Sequence, residues 1–464
     1  MVKKLKVLFV SAECEPYART GGLGDVSAAL PKALYDAGIM IRRVIPLYGN
    51  VNMDFKYCTD FPIKMGPNYQ GCIIKRDTAQ KVPTYFINNE YYFNRDKLYG
   101  YYDDGERFTF FCKAVIKMLD HIPFRPDIIH CNDWHTALIP LILKSINSDI
   151  KSVFTIHNLK YTGSIPMQYM EEYNMSLERL SQCGYPDNID FMKSGILNSD
   201  HITTVSNGYK EEVLTPRYGE GLDNLLIQRK NSFTGILNGI DTQNYNPQSA
   251  KIPYDIDNLN AKDENKALLR EELGLEDEDV PIVASITRLD DQKGIDIIIN
   301  AIRKIDIQGF QFVILGTGDQ YYENTLSEMA SMYPGKMAAI FAFDAELAKR
   351  IYSGADIFIM PSKFEPGGLG QLYAMAYGTV PVVRSTGGLK DTVADAEDGD
   401  SPVGFSFKSY TVNSFIEALK RAIDAYNTPL WETLMKNGMA FEKSWEFPAS
   451  QYIKIYKSLC DYHS

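Results

Sequence analysis

The stretch "KVLFVSAECEPYARTGGLGDVSAALPKALYDAGIMIRRVIPLY", Lys6 to Tyr48, decides the fold. It begins with a short apolar run. Then "DVSAALPKALYDAG" carries Val26, Ala29, Leu30, Ala33, Leu34 and Ala37 at helical spacing before Gly38. "IRRVIPLY" is a second apolar run. Strand, glycine-rich loop, helix and strand in that order predict a parallel pair joined by a right-handed crossover. The basic start followed by apolar residues has the outline of a secretory signal. However, only Val7–Val10 are continuously apolar before Ser11 and Glu13, fewer than the roughly 7–15 residues of a secretory core. A buried first strand is the better reading.

Working outward, "DIIHCNDWH", "SVFTIHN" and "HITTVSNGY" are further apolar runs that stop at polar residues. A second series begins near Val280. "PIVASI" precedes "TRLDDQKG" and the helical "IDIIINAIRKI", "FQFVILG" precedes "TGDQ", "DIFIMPS" precedes "KFEPGGLG" and "QLYAMAYG", and "VPVVRS" precedes "TGGLKD". Each series predicts a doubly wound, Rossmann-like α/β domain whose functional residues gather at the carboxyl ends of its strands. A chain of 464 residues suits two domains of about 200 residues and a cleft between them. The Asn-, Asp- and Pro-rich "NYNPQSAKIPYDIDNLNAKDEN" reads as a linker, which puts the boundary near Asn244. Thr-Gly-Gly-Leu occurs at Thr20–Leu23 and again at Thr386–Leu389, once in each series, so both copies are expected to border one cleft.

Composition narrows the function. The net charge is −11 and no basic cluster is denser than "KKLK" at the start, so the footprint of a nucleic-acid or anionic-lipid binder is missing. No apolar run approaches the roughly 20 residues of a membrane span. Seven scattered cysteines, never in Cys-x-x-Cys spacing, predict reduced thiols and a cytoplasmic location. The 30 tyrosines would suit a neutral, hydroxyl-rich partner such as a sugar, although any single ring is more simply a core or half-buried residue.

Several loops carry chemistry. The "TGGLGD" glycines let a ligand approach the backbone and the helix start, which favours phosphate, and Arg19 adds a forked cation beside them. Ser27 stands where a dinucleotide fingerprint requires its third glycine, so a plain tight turn is an equal reading. Arg288 and Lys293 in "TRLDDQKG" could grip a departing diphosphate. Glu365, flanked by Gly367, Gly368 and Gly370, could accept hydrogen bonds from sugar hydroxyls, and His157 ends a strand where it could bond a hydroxyl. His130, Asp133 and His135 in "HCNDWH" are metal-ligand types. They match no zinc spacing and have no fourth ligand, so no metal and no other cofactor is expected. No Gly-x-Ser-x-Gly elbow or Walker sequence points to a hydrolase or kinase.

Taken together, "RTGGLGDV", "YFINNEYYFNRDKLYGYYDDGERFTFF", "DIIHCNDWHTALIP", "TIHNLKYTG", "GILNGID", "RLDDQKGID", "LGTGD", "ADIFIMPSKFEPGGLGQLYAMAYGTVPVVRSTGGLKDTV" and "SWEFPASQYIKIY" resemble the bacterial glycogen synthases and related starch synthases. These are retaining glycosyltransferases of the two-domain GT-B fold, and the motifs run in the family's order over nearly the whole chain. The resemblance implies transfer of glucose from ADP-glucose to the non-reducing end of an α-1,4-glucan, glycogen or a maltooligosaccharide, with retention and without metal. It implies catalytic roles for His157, Arg288, Lys293 and Glu365. Arg19, Gly22, Asp25, Asp133, Asn158, Asn238, Phe343, Gly367, Gly368 and Leu369 would line the substrates, with Phe343 stacked on the base. It further implies domains at 1–243 and 244–443, with 444–464 a helix that crosses back onto the first through Trp445, Tyr452, Ile453 and Tyr456. Closure of the two domains would then exclude water.

The sequence departs from the family at several positions. Arg19 replaces a lysine, which opens the choice between ADP-glucose and UDP-glucose. Gly367 replaces a common cysteine, Gly370 a common polar residue, and "TVSNGY" the usual Ser-Pro. Two other readings stay open: a related retaining enzyme with another acceptor, and a glucan-binding protein without catalysis. A glucan phosphorylase would be much longer and would need a lysine-bound pyridoxal phosphate, for which no motif is present.

Overall fold

Lys6–Val10 forms strand β1, and its residues after Lys6 are all buried. Burial on both faces is what a central parallel strand requires. Accordingly Val7 stands opposite Ile41 on one side and Ile128 on the other, so the apolar run read as a strand lies mid-sheet. The structure is a computed structural model describing residues 4–460, except 52, 174–181, 186–187, 306 and 399–400.

The chain divides into two compact units, Met1–Asn238 with Trp445–Ser464, and Gly239–Ser444. Unit one adds β2 (Met40–Pro46), β3 (Lys56–Met65), β4 (Asn68–Asp77), β5 (Thr84–Asn88), β6 (Ile128–Asn132) and β7 (Lys151–Ile156). It also holds β8 (Ser164–Pro166), β9 (Gly184–Tyr185) and β10 (Asn188–Asp190), which form a small antiparallel sheet, and β11 (His201–Thr204) and β12 (Phe233–Gly235). The main sheet runs β12-β11-β7-β6-β1-β2-β5-β4-β3. It is parallel from β12 to β5, and the β3–β4 hairpin extends it antiparallel. Chain order reverses around β1, a switch point where α/β sheets bind ligands.

The helix Gly22–Asp36 buries Val26, Leu30 and Leu34, half of the stripe read from the sequence, with Ala29 and Ala33 packed beside them. The same core takes in the C-terminal helix Glu446–Leu459 through Trp445, Ala449, Tyr452 and Tyr456, with Ile453 partly buried. Its attachment is also polar: His130 of β6 bonds the Tyr456 hydroxyl through Nδ1 (2.6 Å) and the Thr155 hydroxyl through Nε2 (2.6 Å).

Unit two contains β13 (Ile282–Ile286), β14 (Gln311–Leu315), β15 (Met337–Ile340), β16 (Ile357–Met360), β17 (Val380–Arg384) and β18 (Phe405–Phe407). These form one sheet in the order β15-β14-β13-β16-β17-β18, parallel throughout. Here the order reverses around β13.

The division falls at Asn238/Gly239 and Ser444/Trp445, a few residues from the expected 243/244 and 443/444. The segment read as a linker belongs to the second unit. Tyr254 and Ala261 are buried in its core, Tyr254 donates to the Tyr377 carbonyl (2.9 Å), and Tyr245 stacks on Tyr373 at 3.8 Å. Asn- and Pro-rich composition signals turns, and here the turns lie flat on a core held by a few aromatic anchors.

Candidate active site

In unit one the candidate residues lie at the carboxyl ends of three adjacent strands, β7, β6 and β1, except Asn238, which follows β12. Beyond β6, Asp133 adopts φ 59°, a left-handed conformation that is uncommon outside glycine. Its amide donates to the Thr155 carbonyl (2.9 Å). Its Oδ1 accepts from the amides of His157 (2.8 Å) and Asn158 (3.3 Å) beyond β7. Asp133 therefore fixes the turn that carries His157. Burial pushes the Asp133 carboxyl up to about 7, and the two amides only partly offset it.

His157 has a defined tautomer. Asn132 donates its amide nitrogen to the carbonyls of Val10 (3.0 Å) and His130 (3.4 Å), which turns its Oδ1 toward His157 Nε2 at 2.9 Å. Nε2 therefore carries the proton and Nδ1 presents a lone pair. Burial pushes the ring's pKa down to about 3, so it stays neutral near pH 7. It can accept a hydrogen bond from a hydroxyl but offers no positive charge.

In the loop after β1, Arg19 pairs with Asp25 at 2.9 Å. Burial pushes the Asp25 carboxyl up to about 7 against the pull of that guanidinium. The expected phosphate cradle is partly taken. The amides of Thr20 (2.6 Å) and Gly21 (3.3 Å) donate to Glu13 Oε2, a buried carboxylate that no motif marks. Gly22 opens the helix behind that turn. Asn238 is buried, and its Oδ1 has no hydrogen-bond partner among the described residues.

"HCNDWH" does not converge on a metal. Both ring nitrogens of His130 are engaged in the core, while His135 is stacked on Trp134 at 4.0 Å and edge-on to Phe108. Among the described residues no group of three His, Cys, Asp or Glu could hold a metal ion.

In unit two the loops after β13, β16 and β17, neighbours in the sheet, interlock. Lys293 Nζ meets Glu365 Oε2 at 2.7 Å, and the Ser362 hydroxyl donates to the same oxygen (3.1 Å). Asp290 shapes the Lys293 turn by accepting from the Gln292 (3.0 Å) and Lys293 (3.2 Å) amides. Gln292 bridges to the next loop, accepting from the Lys363 amide (2.8 Å) and donating to the Phe364 carbonyl (3.3 Å). Arg288 pairs with Asp290 at 3.3 Å and remains about half exposed.

The second Thr-Gly-Gly-Leu braces this arrangement. The Gly388 amide donates to the Glu365 carbonyl (3.0 Å). A β-carbon on Gly387, at φ +46°, would fall 2.0 Å from the Glu365 carbonyl oxygen, and one on Gly388 would fall 2.0 Å from that of Gly367. The motif thus supports Glu365 through backbone contact that only glycine permits. Gly367 and Gly368 accept from the Gln371 side chain, and Leu369 precedes the helix Gly370–Ala376. Phe343, beyond β15, is 68% exposed. A groove of about 660 Å³ between the helices Asn260–Leu273 and Ala345–Gly354 contains none of the predicted residues.

Residues 6–228 match the family model described as starch synthase catalytic domain, and residues 268–438 match glycosyl transferases group 1. The chain is 41% identical over 477 residues to the glycogen synthase of Anoxybacillus flavithermus, with 98% of each covered. It is 43% identical over 481 residues to that of Bacillus cereus strain Q1, covering 98% of this chain and 100% of the relative. Among solved structures, the catalytic domain of starch synthase IV from Arabidopsis thaliana, bound to ADP and acarbose, is similar with a TM-score of 0.91 at 32% identity. That match covers 99% of this chain and 100% of the other. Sucrose-phosphate synthase from Thermosynechococcus elongatus, at 21% identity and TM-score 0.65, shares the fold.

Proposed function

This chain belongs to the glycogen and starch synthase family of retaining glycosyltransferases, and we propose that it transfers glucose from ADP-glucose to the non-reducing end of an α-1,4-glucan. The observation that carries the reading is the Lys293–Glu365 pair, held by the second Thr-Gly-Gly-Leu beside Arg288.

When the bond from C1 to the diphosphate oxygen breaks, negative charge grows on the leaving group, and Arg288 and Lys293 are the cations that stabilise it. Glu365 accepts hydrogen bonds from the glucose hydroxyls, and the neutral His157 accepts another at Nδ1. The acceptor 4-hydroxyl forms the new bond to C1 on the face the diphosphate leaves, and its proton passes to the departing oxygen. The further substrate-binding residues of this reading are Arg19, Gly22, Asp25, Asp133, Asn158 and Asn238 in unit one, and Phe343 and the Gly367–Leu369 backbone in unit two. The compartment in this reading is the cytoplasm, supported by cysteines scattered without paired spacing. Among the described residues no helix is long and apolar enough to cross a membrane.

The test is nucleotide release from ADP-glucose and from UDP-glucose, each with and without glycogen. Primer-dependent release of ADP is expected. Release unaffected by glycogen, or faster from UDP-glucose, contradicts the acceptor or the donor respectively.

A further inference from the structure

We propose that Glu13 is a positioning residue for sugar transfer: together with Tyr99 it holds the Thr20–Gly21 turn and so sets where Arg19 stands. The proposal rests on the reading above that the Arg19 loop serves the donor.

Glu13 is 1% exposed. Buried carboxylates are costly unless hydrogen-bonded, and this one is engaged by both of its oxygens. Oε2 accepts from the Thr20 (2.6 Å) and Gly21 (3.3 Å) amides, and Oε1 accepts from the Thr20 hydroxyl (2.8 Å). The Tyr99 phenol donates to Oε1 and also meets the Thr20 hydroxyl.

Gly21 is the N-cap of the helix Gly22–Asp36 and has no side chain to cap it. The Glu13 carboxylate satisfies the amides of Thr20 and Gly21 just before that helix and sets negative charge at its N-terminus. Arg19 immediately precedes the held turn and is tied to Asp25 in the first turn of the helix. The guanidinium can therefore stand only where Glu13 and Asp25 together allow.

Tyr99 is itself placed by a rigid support. Buried Arg107 donates to the carbonyls of Tyr92 (2.7 Å) and Leu98 (3.0 Å), on either side of the segment that leads to Tyr99. Glu13 thereby links the tyrosine-rich segment to the Arg19 loop.

The experiment measures initial rates of nucleotide release at varied ADP-glucose and varied glycogen for wild type, E13A, E13Q and Y99F, and for R19A with and without E13A. Thermal unfolding of each variant is recorded alongside. A misplaced binding group costs about 100-fold, so E13A is expected to lower kcat/KM for the donor by about that factor with KM for glycogen little changed. E13Q keeps an oxygen for the two amides and should stay within about tenfold of wild type, with Y99F between the two. Combining E13A with R19A should cost far less than the product of the single losses, because both act through one guanidinium.

An active wild type with E13A and Y99F both unchanged overturns the proposal alone. Multiplicative losses, or E13Q no better than E13A, also overturn it. If E13A does not fold, E13Q and Y99F decide by the same criteria. A wild type that releases no nucleotide overturns the functional reading and this proposal with it.

Discussion

Asp133 shows how a single residue can set both geometry and pH response. Its left-handed backbone and its two accepted amides place His157, and the same burial raises its carboxyl to about 7, against about 4 in an unfolded chain. Between those values the folded protein holds the extra proton, so this group's contribution makes stability fall as pH rises from about 4 to about 7 and then level off. In D133N the side-chain oxygen can still accept both amides but cannot ionise. The melting temperature of D133N should therefore vary less than wild type's across that window and exceed it by about 2–4 °C at pH 8. Parallel melting curves for the two proteins would refute this. At this scale the sequence exposed some of the site and hid the rest. Asp133, His157, Lys293 and Glu365 end apolar runs or sit in glycine-bounded loops, which makes them visible. Glu13 is one of two glutamates in an unremarkable loop, and its partner Tyr99 lies 86 positions away, a separation that only folding closes.

Among the elements, the strand–loop–helix repeat was legible because central parallel strands are buried on both faces and so read as apolar runs, as in β1 and β16. The hairpin β3–β4 was not, because an edge pair carrying Pro62 and alternating exposed residues presents no such run. The linker reading failed for the related reason that a few anchors, Tyr254 and Ala261 among them, outweigh a polar composition. G388A puts a methyl against the Gly367 carbonyl and must shift the Glu365 loop, so turnover should fall about 100-fold while the protein stays folded. Wild-type turnover in G388A would show that the second Thr-Gly-Gly-Leu supports nothing. In the C-terminal helix, Y456F leaves His130 Nδ1 buried without its partner, a loss of about 1–3 kcal/mol that should lower the melting temperature by several degrees. An unchanged melting temperature would mean that the hydroxyl is not a tether. Truncation before Ser444 removes Trp445, Tyr452 and Tyr456 from the unit-one core, so turnover should be lost along with stability.

For the whole molecule, the chain leaves unit one at Asn238 and returns to it at Trp445, so each unit carries its own sheet and its own set of polar loops. The excess of acidic residues means that an anionic donor is met by local cations rather than by an overall field. The proposed transfer therefore turns on Lys293, whose ion pair with Glu365 would join the charge proposed for the leaving group to the carboxylate proposed for the sugar. The most direct test is the kcat for primer-dependent ADP release by K293A beside wild type, both confirmed folded by thermal unfolding. Loss of a preorganised charge at the departing diphosphate predicts a fall of about 100- to 1,000-fold in kcat. A kcat within twofold of wild type would contradict the account.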